Sequence, residues 1–149
     1  VTVKEDEISS AILALIEQQK MIAEGAGAVS VAAVMFDKIP NLAGKKVVCV
    51  VSGGNIDVTI LSRVITRGLL MSGRNCQLNI ELIDKPGQLM NVAKIIAKQG
   101  GNVTAVHYEH STEGSDVNGC HIRLTLETRN FEHIEQIKKA LTDFGIKII

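Results

Sequence analysis

Hydrophobic spacing changes character near residue 75, and that change limits the folds open to the chain more than any other feature. Beyond it, Leu78, Ile80 and Leu82 alternate with Gln77, Asn79 and Glu81. Cys120, Ile122, Leu124 and Leu126 alternate in the same way with His121, Arg123, Thr125 and Glu127. A period of two belongs to a strand with one buried face. Between these runs, Leu89, Val92, Ala93 and Ile96 fall at helical spacing up to Gly100 and Gly101, and Val103 to Tyr108 reads as another strand. Phe131, Ile134, Ile137, Leu141 and Phe144 line a second helix, Gly145 stops it, and "IKII" is the last strand. "DKPGQL" at 84–89 turns the chain, and "STEGSDVNG" at 111–119 is a hairpin loop of turn formers. Strand, helix, strand, strand, helix, strand is the split βαβ, ferredoxin-like arrangement, an α+β fold.

The first half lacks this pattern. Ile8, Ala11, Ile12, Leu15 and Ile16 make one apolar stripe on a helix of residues 5 to 22, with Thr2 and Glu5 at capping-box spacing. "AEGAGAVSVAAVMF" gives a turn and a tightly packed second helix to about residue 36. Lys45 to Val51 is a strand, apolar without alternation from Val47 onward, which implies burial on both faces. Val58, Leu61, Val64 and Ile65 return to helical spacing within Asp57 to Arg67. A lone strand cannot satisfy its own N–H and C=O groups, so its neighbours must lie in sequence absent here or in another copy. Its bare apolar faces predict association of the chain. "GLLMSGRN" at 68–75 reads as a linker, giving an α/β fragment at 1–72 and a complete domain at 73–149. The chain begins with valine and runs straight into structured sequence, which suggests a piece of something longer.

Composition excludes several functions. Sixteen basic residues balance sixteen acidic ones, so no bulk field draws the chain to nucleic acid or an anionic membrane. No apolar stretch approaches the roughly 18 residues of a membrane span, and the first twenty residues are charged and amphipathic, unlike a signal peptide. A cytoplasmic location follows as an expectation. Cys49, Cys76 and Cys120 share no CxxC spacing, and the four histidines have no partner at ligand spacing, so neither a disulfide framework nor a metal is expected. An RNA-reading sheet would carry stacking aromatics on its central strands, where His121, Arg123, Thr125 and Glu127 stand instead. Gly25 and Gly27 make a GxG, but after a helix rather than a strand and with Ser30 in the third glycine's place, so no dinucleotide fingerprint is present.

Two loops could hold a ligand. At Gly87 no Cβ blocks approach to the backbone, and the N–H groups of Gln88 and Leu89, at a positive helix end, can hold a carboxylate. Asp84, Pro86 and Gly87 would equally make a good turn in any loop. Ser52 follows the apolar run in "VVCVVSGG", where a serine serves as a site residue, or as a turn residue or cap ahead of the helix beginning near Asp57. Glu24 precedes a helix, where a carboxylate can bond nearby glycine amides.

"ELIDKPGQLMNVAKIIAKQGGNV" resembles the ACT domain, a regulatory amino-acid sensor, and the resemblance spans residues 76–149. It implies a homo-oligomer with a small effector, an amino acid or adenine nucleotide, at a dimer interface near Asp84, Gly87, Gln88, Leu89 and Asn102. "EQQKMIAEGAGAVSVAA", "KIPNLAGKKVVCVVSGGNID" and "LSRVITRGLLMSGR" look like the C-terminal end of fold-type II pyridoxal-phosphate enzymes of the threonine dehydratase (threonine ammonia-lyase) and serine racemase group. The joined order matches threonine dehydratases with a single C-terminal ACT domain. That resemblance implies Ser52 and Gly53 at the pyridine nitrogen of pyridoxal 5'-phosphate, with Glu24 near the ring. A hydroxyl there donates to an unprotonated nitrogen, where a carboxylate would hold the ring protonated. Less electron density then drains into the ring, which suits loss of a β-hydroxyl from threonine or serine. The Schiff-base lysine and phosphate loop of such enzymes lie N-terminal to this stretch, and Lys20, Lys45 and Lys46 match neither. The chain alone is therefore expected to hold no catalytic residue, bind no cofactor and be inactive, with a regulatory and oligomeric role. Two alternatives stay open: a ligand-free dimerisation module, and a parent acting on serine by dehydration or racemisation.

Overall fold

Alternation at period two becomes a covered sheet face. In the computed structural model, which describes residues 1–110 and 119–149, Leu78, Ile80 and Leu82 of β1 (Asn75–Ile83) are buried while Gln77 and Asn79 are exposed. Strand β3 (Gly119–Glu127) repeats this with Cys120, Ile122, Leu124 and Leu126. The remaining elements of this unit are α4 (Gln88–Gln99), β2 (Asn102–His110), α5 (Phe131–Asp143) and β4 (Lys147–Ile148). The sheet order is β2-β3-β1-β4, antiparallel at every pairing, with Leu78 opposite Leu124 and Ile80 opposite Ile122. Val92 and Ile96 of α4 and Ile137 and Leu141 of α5 fill a single core against the inward strand residues. This is the ferredoxin-like α+β fold expected from the sequence. The expected hairpin loop at 111–118 lies outside the described residues.

Details of α5 depart from its sequence pattern. Phe131 and Phe144, placed on the buried stripe by spacing, are 59% and 60% exposed. They are the first residue and the C-cap of the helix, so the stripe is buried only along its middle. His133, which has no partner at ligand spacing in the sequence, is a packing residue: it is buried, Nδ1 accepts from the Arg129 N–H at 3.1 Å and Nε2 donates to the Gln99 carbonyl at 2.9 Å. It therefore joins the start of α5 to the end of α4.

The chain forms two compact units, Val1–Ser72 and Gly73–Ile149. The first consists of α1 (Glu5–Ala14), which continues as a π-helical turn over Leu15–Gln19, then α2 (Gly25–Met35) and α3 (Val58–Met71). Lys20, in the left-handed region at φ 57°, ends the first helix short of residue 22. The helix begins at Glu5 as expected, but its cap is Lys4 rather than Thr2, the Lys4 N–H donating to Glu7 Oε2 at 2.8 Å. Residues 68–71, expected to be linker, continue α3, and Gly68 is buried there. A Cβ on Gly68 would stand 3.1 Å from the Leu13 side chain and from the Ser9 carbonyl oxygen, so this glycine permits a close helix contact rather than a break.

The strand expected at Lys45–Val51 does not form. The segment has no ladder partner among the described residues, and Val48 and Val50 are 90% and 73% exposed rather than buried on both faces. Apolar character alone cannot make a strand, because the ladder needs a neighbour's N–H and C=O groups. What holds the segment is α2: Ser30 Oγ donates to the Val50 carbonyl at 2.7 Å, and Cys49 Sγ lies 3.7 Å from the Ser30 carbonyl. The first unit is thus a helical segment whose small core contains Ala11, Ile12, Leu15, Ala23, Ala28 and Ala32. No helix among the described residues is long and apolar enough to cross a membrane.

Candidate functional sites

The turn after Val51 packs against the start of α2 through glycines. Glu24, the residue preceding α2, donates its N–H to the Gly53 carbonyl at 3.1 Å. A Cβ on Gly27 would collide with the Ser52 carbonyl oxygen, and one on Gly54 would reach the Ile22 carbonyl oxygen at 3.0 Å. Gly53 adopts φ +77°, and a Cβ there would stand 2.5 Å from Glu24 Oε1, so the Glu24 carboxylate lies directly over this glycine. The structure therefore brings Glu24, Ser52 and Gly53 together, with Ser52 exposed.

Neither side chain caps a helix. Helix α3 is capped by Asp57, whose Oδ1 accepts the N–H groups of Thr59 at 2.7 Å and Ile60 at 3.3 Å, so Ser52 is not its cap. Those two bonds hold the Asp57 carboxyl below the usual aspartate range. Glu24 makes no side-chain bond to the amides of the helix it precedes. Ser52 and Glu24 are thereby left as a hydroxyl and a carboxylate beside a close-packed glycine turn.

The second site lies between β1 and α4. Gly87 at φ +88° is the N-cap of α4, and a Cβ there would meet nothing within 4 Å. Backbone conformation, rather than lack of space, calls for glycine. The Gln88 N–H, expected to be free for a ligand, donates to the Lys85 carbonyl at 3.3 Å, which leaves Leu89 and Met90 as first-turn donors. A pocket of about 90 Å³ is lined here by Asp84, Gly87, Gln88, Leu89, Tyr108 and Cys120, among others.

Asn102 does not join this group within one chain. It opens β2 and faces Glu127, its Nδ2 donating to Glu127 Oε2 at 2.7 Å, and Glu127 in turn pairs with Asn75 at the start of β1. Asp84 follows the other end of β1, about 30 Å away at ~3.3 Å per strand residue. A ligand touching both needs two copies of the chain.

Tyr108 is the residue that sequence reasoning missed. Its hydroxyl bonds to the Asp84 carboxylate and to the Cys120 thiol, and these bonds, Asp84 first, push its ionisation far above the usual tyrosine range. The available signal was register: Tyr108 lies opposite Ile122, a residue of the covered face. Among the described residues no group of three or more His, Cys, Asp or Glu is placed to hold a metal ion.

Fold and loop together define a class. Residues 72–144 match the ACT domain family, and the second unit is an ACT domain. Over 99% of its length the chain is 43% identical to the L-threonine ammonia-lyase of Thermotoga maritima, and over 97% it is 41% identical to that of Geobacter sulfurreducens. It spans about a third of those relatives, 36% of each. A 71-residue stretch, 46% of the chain and 20% of the relative, is 48% identical to the catabolic L-threonine dehydratase TdcB of Staphylococcus aureus.

Proposed function

We propose that this chain is the C-terminal part of a pyridoxal-phosphate-dependent threonine ammonia-lyase, which converts L-threonine to 2-oxobutanoate and ammonia. In this assignment residues 1–72 complete the cofactor site and residues 73–149 carry regulation. The observation that supports it most is the unbroken similarity along 99% of the chain to an L-threonine ammonia-lyase, with the ACT match inside it.

The first unit fits one edge of the cofactor. Glycines 27, 53 and 54 bring two backbone segments so close that side chains are excluded, while the Ser52 hydroxyl stays exposed at the turn. Pyridoxal phosphate, when bound, supplies the electron sink that makes a substrate α-proton acidic. Ser52 would donate its hydroxyl to the ring nitrogen without protonating it. Gly53 keeps the approach clear, and Glu24, lying over Gly53, would orient the ring from the side. The chain alone, without a Schiff-base lysine, would be inactive.

In the ACT unit, the first-turn N–H groups of α4 would receive the carboxylate of a small effector beside Asp84, Gly87, Gln88 and Leu89, with Asn102 contributed by a second copy. An effector that prefers one arrangement of the paired ACT units shifts the enzyme by its differential affinity for the two states. The nine-residue β2 lies at the sheet edge, which favours pairing between copies and supports a second reading, a dimerisation module without ligand.

One experiment addresses both units. The full-length protein should release 2-oxobutanoate from threonine, Ser52→Ala should slow it about tenfold or more, and one of isoleucine, valine, threonine, serine, AMP or ADP should alter the rate. Calorimetric titration of the present chain with that panel should place the binding in the ACT unit. Unchanged turnover in Ser52→Ala would remove the cofactor role, and silence across the panel from intact dimers would leave dimerisation alone.

A further inference from the structure

Tyr108 is the chain's single tyrosine, and there is no tryptophan. Its pairing with Ile122 places the ring on the helix side of the sheet, at the β2 edge, 43% exposed. One phenol hydroxyl there joins two groups of different mobility. Cys120 is 2% exposed within the core of β3, whereas Asp84 stands on the exposed turn that follows β1. The turn is otherwise held by main-chain bonds: Lys85 N–H to Ile83 O at 2.9 Å, Gln88 N–H to Lys85 O at 3.3 Å, and Asn91 N–H to Gly87 O at 3.1 Å. Tyr108 is therefore a side chain that ties this turn to the sheet, beside the pocket it lines with Gly87 and Leu89.

We propose that Tyr108 is a latch: it fastens the β1–α4 turn by donating its hydroxyl to Asp84, and a ligand bearing an ammonium group enters by taking Asp84 from the phenol. The ligand half of this inference rests on the effector role proposed above. An ionised carboxylate accepts hydrogen bonds and donates none, and it bonds an ammonium more strongly than a neutral hydroxyl. The exchange is thus favourable for an amine and for little else. Beside Asp84, the Leu89 and Met90 N–H groups suit a carboxylate. A carboxylate acceptor next to two amide donors matches the zwitterionic head of an α-amino acid. The pocket, about 90 Å³, has room for such a head group. Tyr108 touches the carboxylate rather than the ligand, so it is a positioning residue.

Amide hydrogen exchange on the whole chain reads the latch without any ligand. In Tyr108→Phe and in Asp84→Asn, the Lys85, Gln88 and Asn91 amides should exchange roughly 3- to 10-fold faster than in wild type, while Ile137 and Leu141 amides stay unchanged. Equal rates in all three proteins would overturn the proposal. Ultraviolet absorbance titration of the lone phenol gives a signature that a purely structural role would not move. Its ionisation should lie well above the ordinary tyrosine range in wild type and fall back towards it in Asp84→Asn; an unmoved phenol contradicts the latch. Titration with L-isoleucine and L-valine should show roughly 3- to 10-fold tighter binding to Tyr108→Phe, and in wild type the tyrosine emission should change on binding. Binding of AMP or ADP in place of the amino acids would overturn the ligand class. If neither protein binds any member of the panel, the effector role fails, and the exchange and titration experiments still decide whether Tyr108 holds the turn.

Discussion

The two units solve the packing problem with side chains of different size. Residues 73–149 bury Leu78, Ile80, Val92, Ile96, Ile122, Leu124, Leu126, Ile137 and Leu141 in one two-layer core. Residues 1–72 bury Ala11, Ala23, Ala28, Ala32 and Ala33 around Ile12, Leu13 and Leu15, while Val48, Val50 and Val58 stay exposed. A fully buried Val, Leu or Ile contributes about 1.5–3 kcal/mol, whereas an alanine offers little more than one methyl. What small residues give instead is closeness. Gly68 lets α3 approach Leu13, and Gly27 lets α2 approach Ser52. The second unit is built for its own stability, and the first for setting backbone against backbone at a turn that displays a hydroxyl and a carboxylate.

That contrast breaks most visibly in the cores. Ile137→Ala should destabilise the ACT unit by about 3–4 kcal/mol, because Ile137 is wholly buried between the strands and Gly101, whose added Cβ would stand 2.9 Å from Ile137 Cδ1. Ala32→Gly, at an equally buried site of the first unit, should cost only about 1 kcal/mol, chiefly through helix propensity. Exchange rates of the Ile80 and Leu124 amides against those of Ala11 and Ile12 would measure both. A larger loss from Ala32 than from Ile137 would reverse the comparison.

A cap gives the next smaller effect. Asp57→Ala removes the acceptor for two first-turn N–H groups of α3 and should destabilise the first unit, read as faster exchange along α3. Asp57→Asn, which keeps an acceptor oxygen, should restore most of it. Equal losses in the two variants would mean that charge at the helix end, rather than the hydrogen bond, holds α3.

Legibility in the sequence followed the same division. Period-two runs with their interleaved helices gave the ACT unit's order and register face correctly, because each strand's partner lies within the same 77 residues of Gly73–Ile149. In the first unit the spacing of Ile8, Ile12 and Leu15 gives a helix, but Gly68 reads as the start of a linker because spacing cannot distinguish a glycine that ends a helix from one that admits a neighbour. Val47 to Val51 gave a strand that lacks its ladder, since pairing depends on atoms outside the segment. Ser52 and Glu24 were found from motif and proved adjacent, through contacts that a single chain segment does not encode. Asn102 stood apart from Asp84 because strand direction, not motif, decides which end of a sheet a residue occupies. Tyr108 escaped notice because a phenol opposite a buried isoleucine has no pattern of its own until the turn at Asp84 folds over it.

The smallest effect, and the one that sharpens the comparison furthest, is the opposite response of the units to pH. In the first unit three carboxyls titrate below their usual range: Asp6 through its bond to Arg67 at 2.6 Å, Glu7 through Lys38 at 2.6 Å, and Asp57 through the Thr59 and Ile60 N–H groups. A lowered carboxyl contributes stability that is present above its unfolded pKa and lost as pH falls through the folded one. Acidification below about pH 4 should therefore loosen α1 from α3 and from the Lys38 turn. Among the described residues the ACT unit has one such group, Glu81, lowered by Lys147 at 2.6 Å, together with two groups whose ionisation is raised, the Cys76 thiol by burial and the Tyr108 phenol by its bonds to Asp84 and Cys120. A raised phenol contributes stability present below about pH 10, its ordinary value, and lost as pH climbs through the folded pKa. Alkali should consequently reach the Asp84 turn while leaving the first unit's three carboxylates charged and paired. All these groups are solvent-screened, so each effect is small, and exchange measured residue by residue is the suitable probe. Acid should speed exchange at α1 and the first turn of α3 more than in the ACT sheet. Base should act at the start of β1, where the Cys76 thiol is raised by burial, and at the turn around Lys85 and Gln88, and Tyr108→Phe should abolish the alkaline response of the turn alone. An alkaline response of the turn that survives in that variant would assign it to another group and leave Tyr108 without a part in the turn's pH dependence.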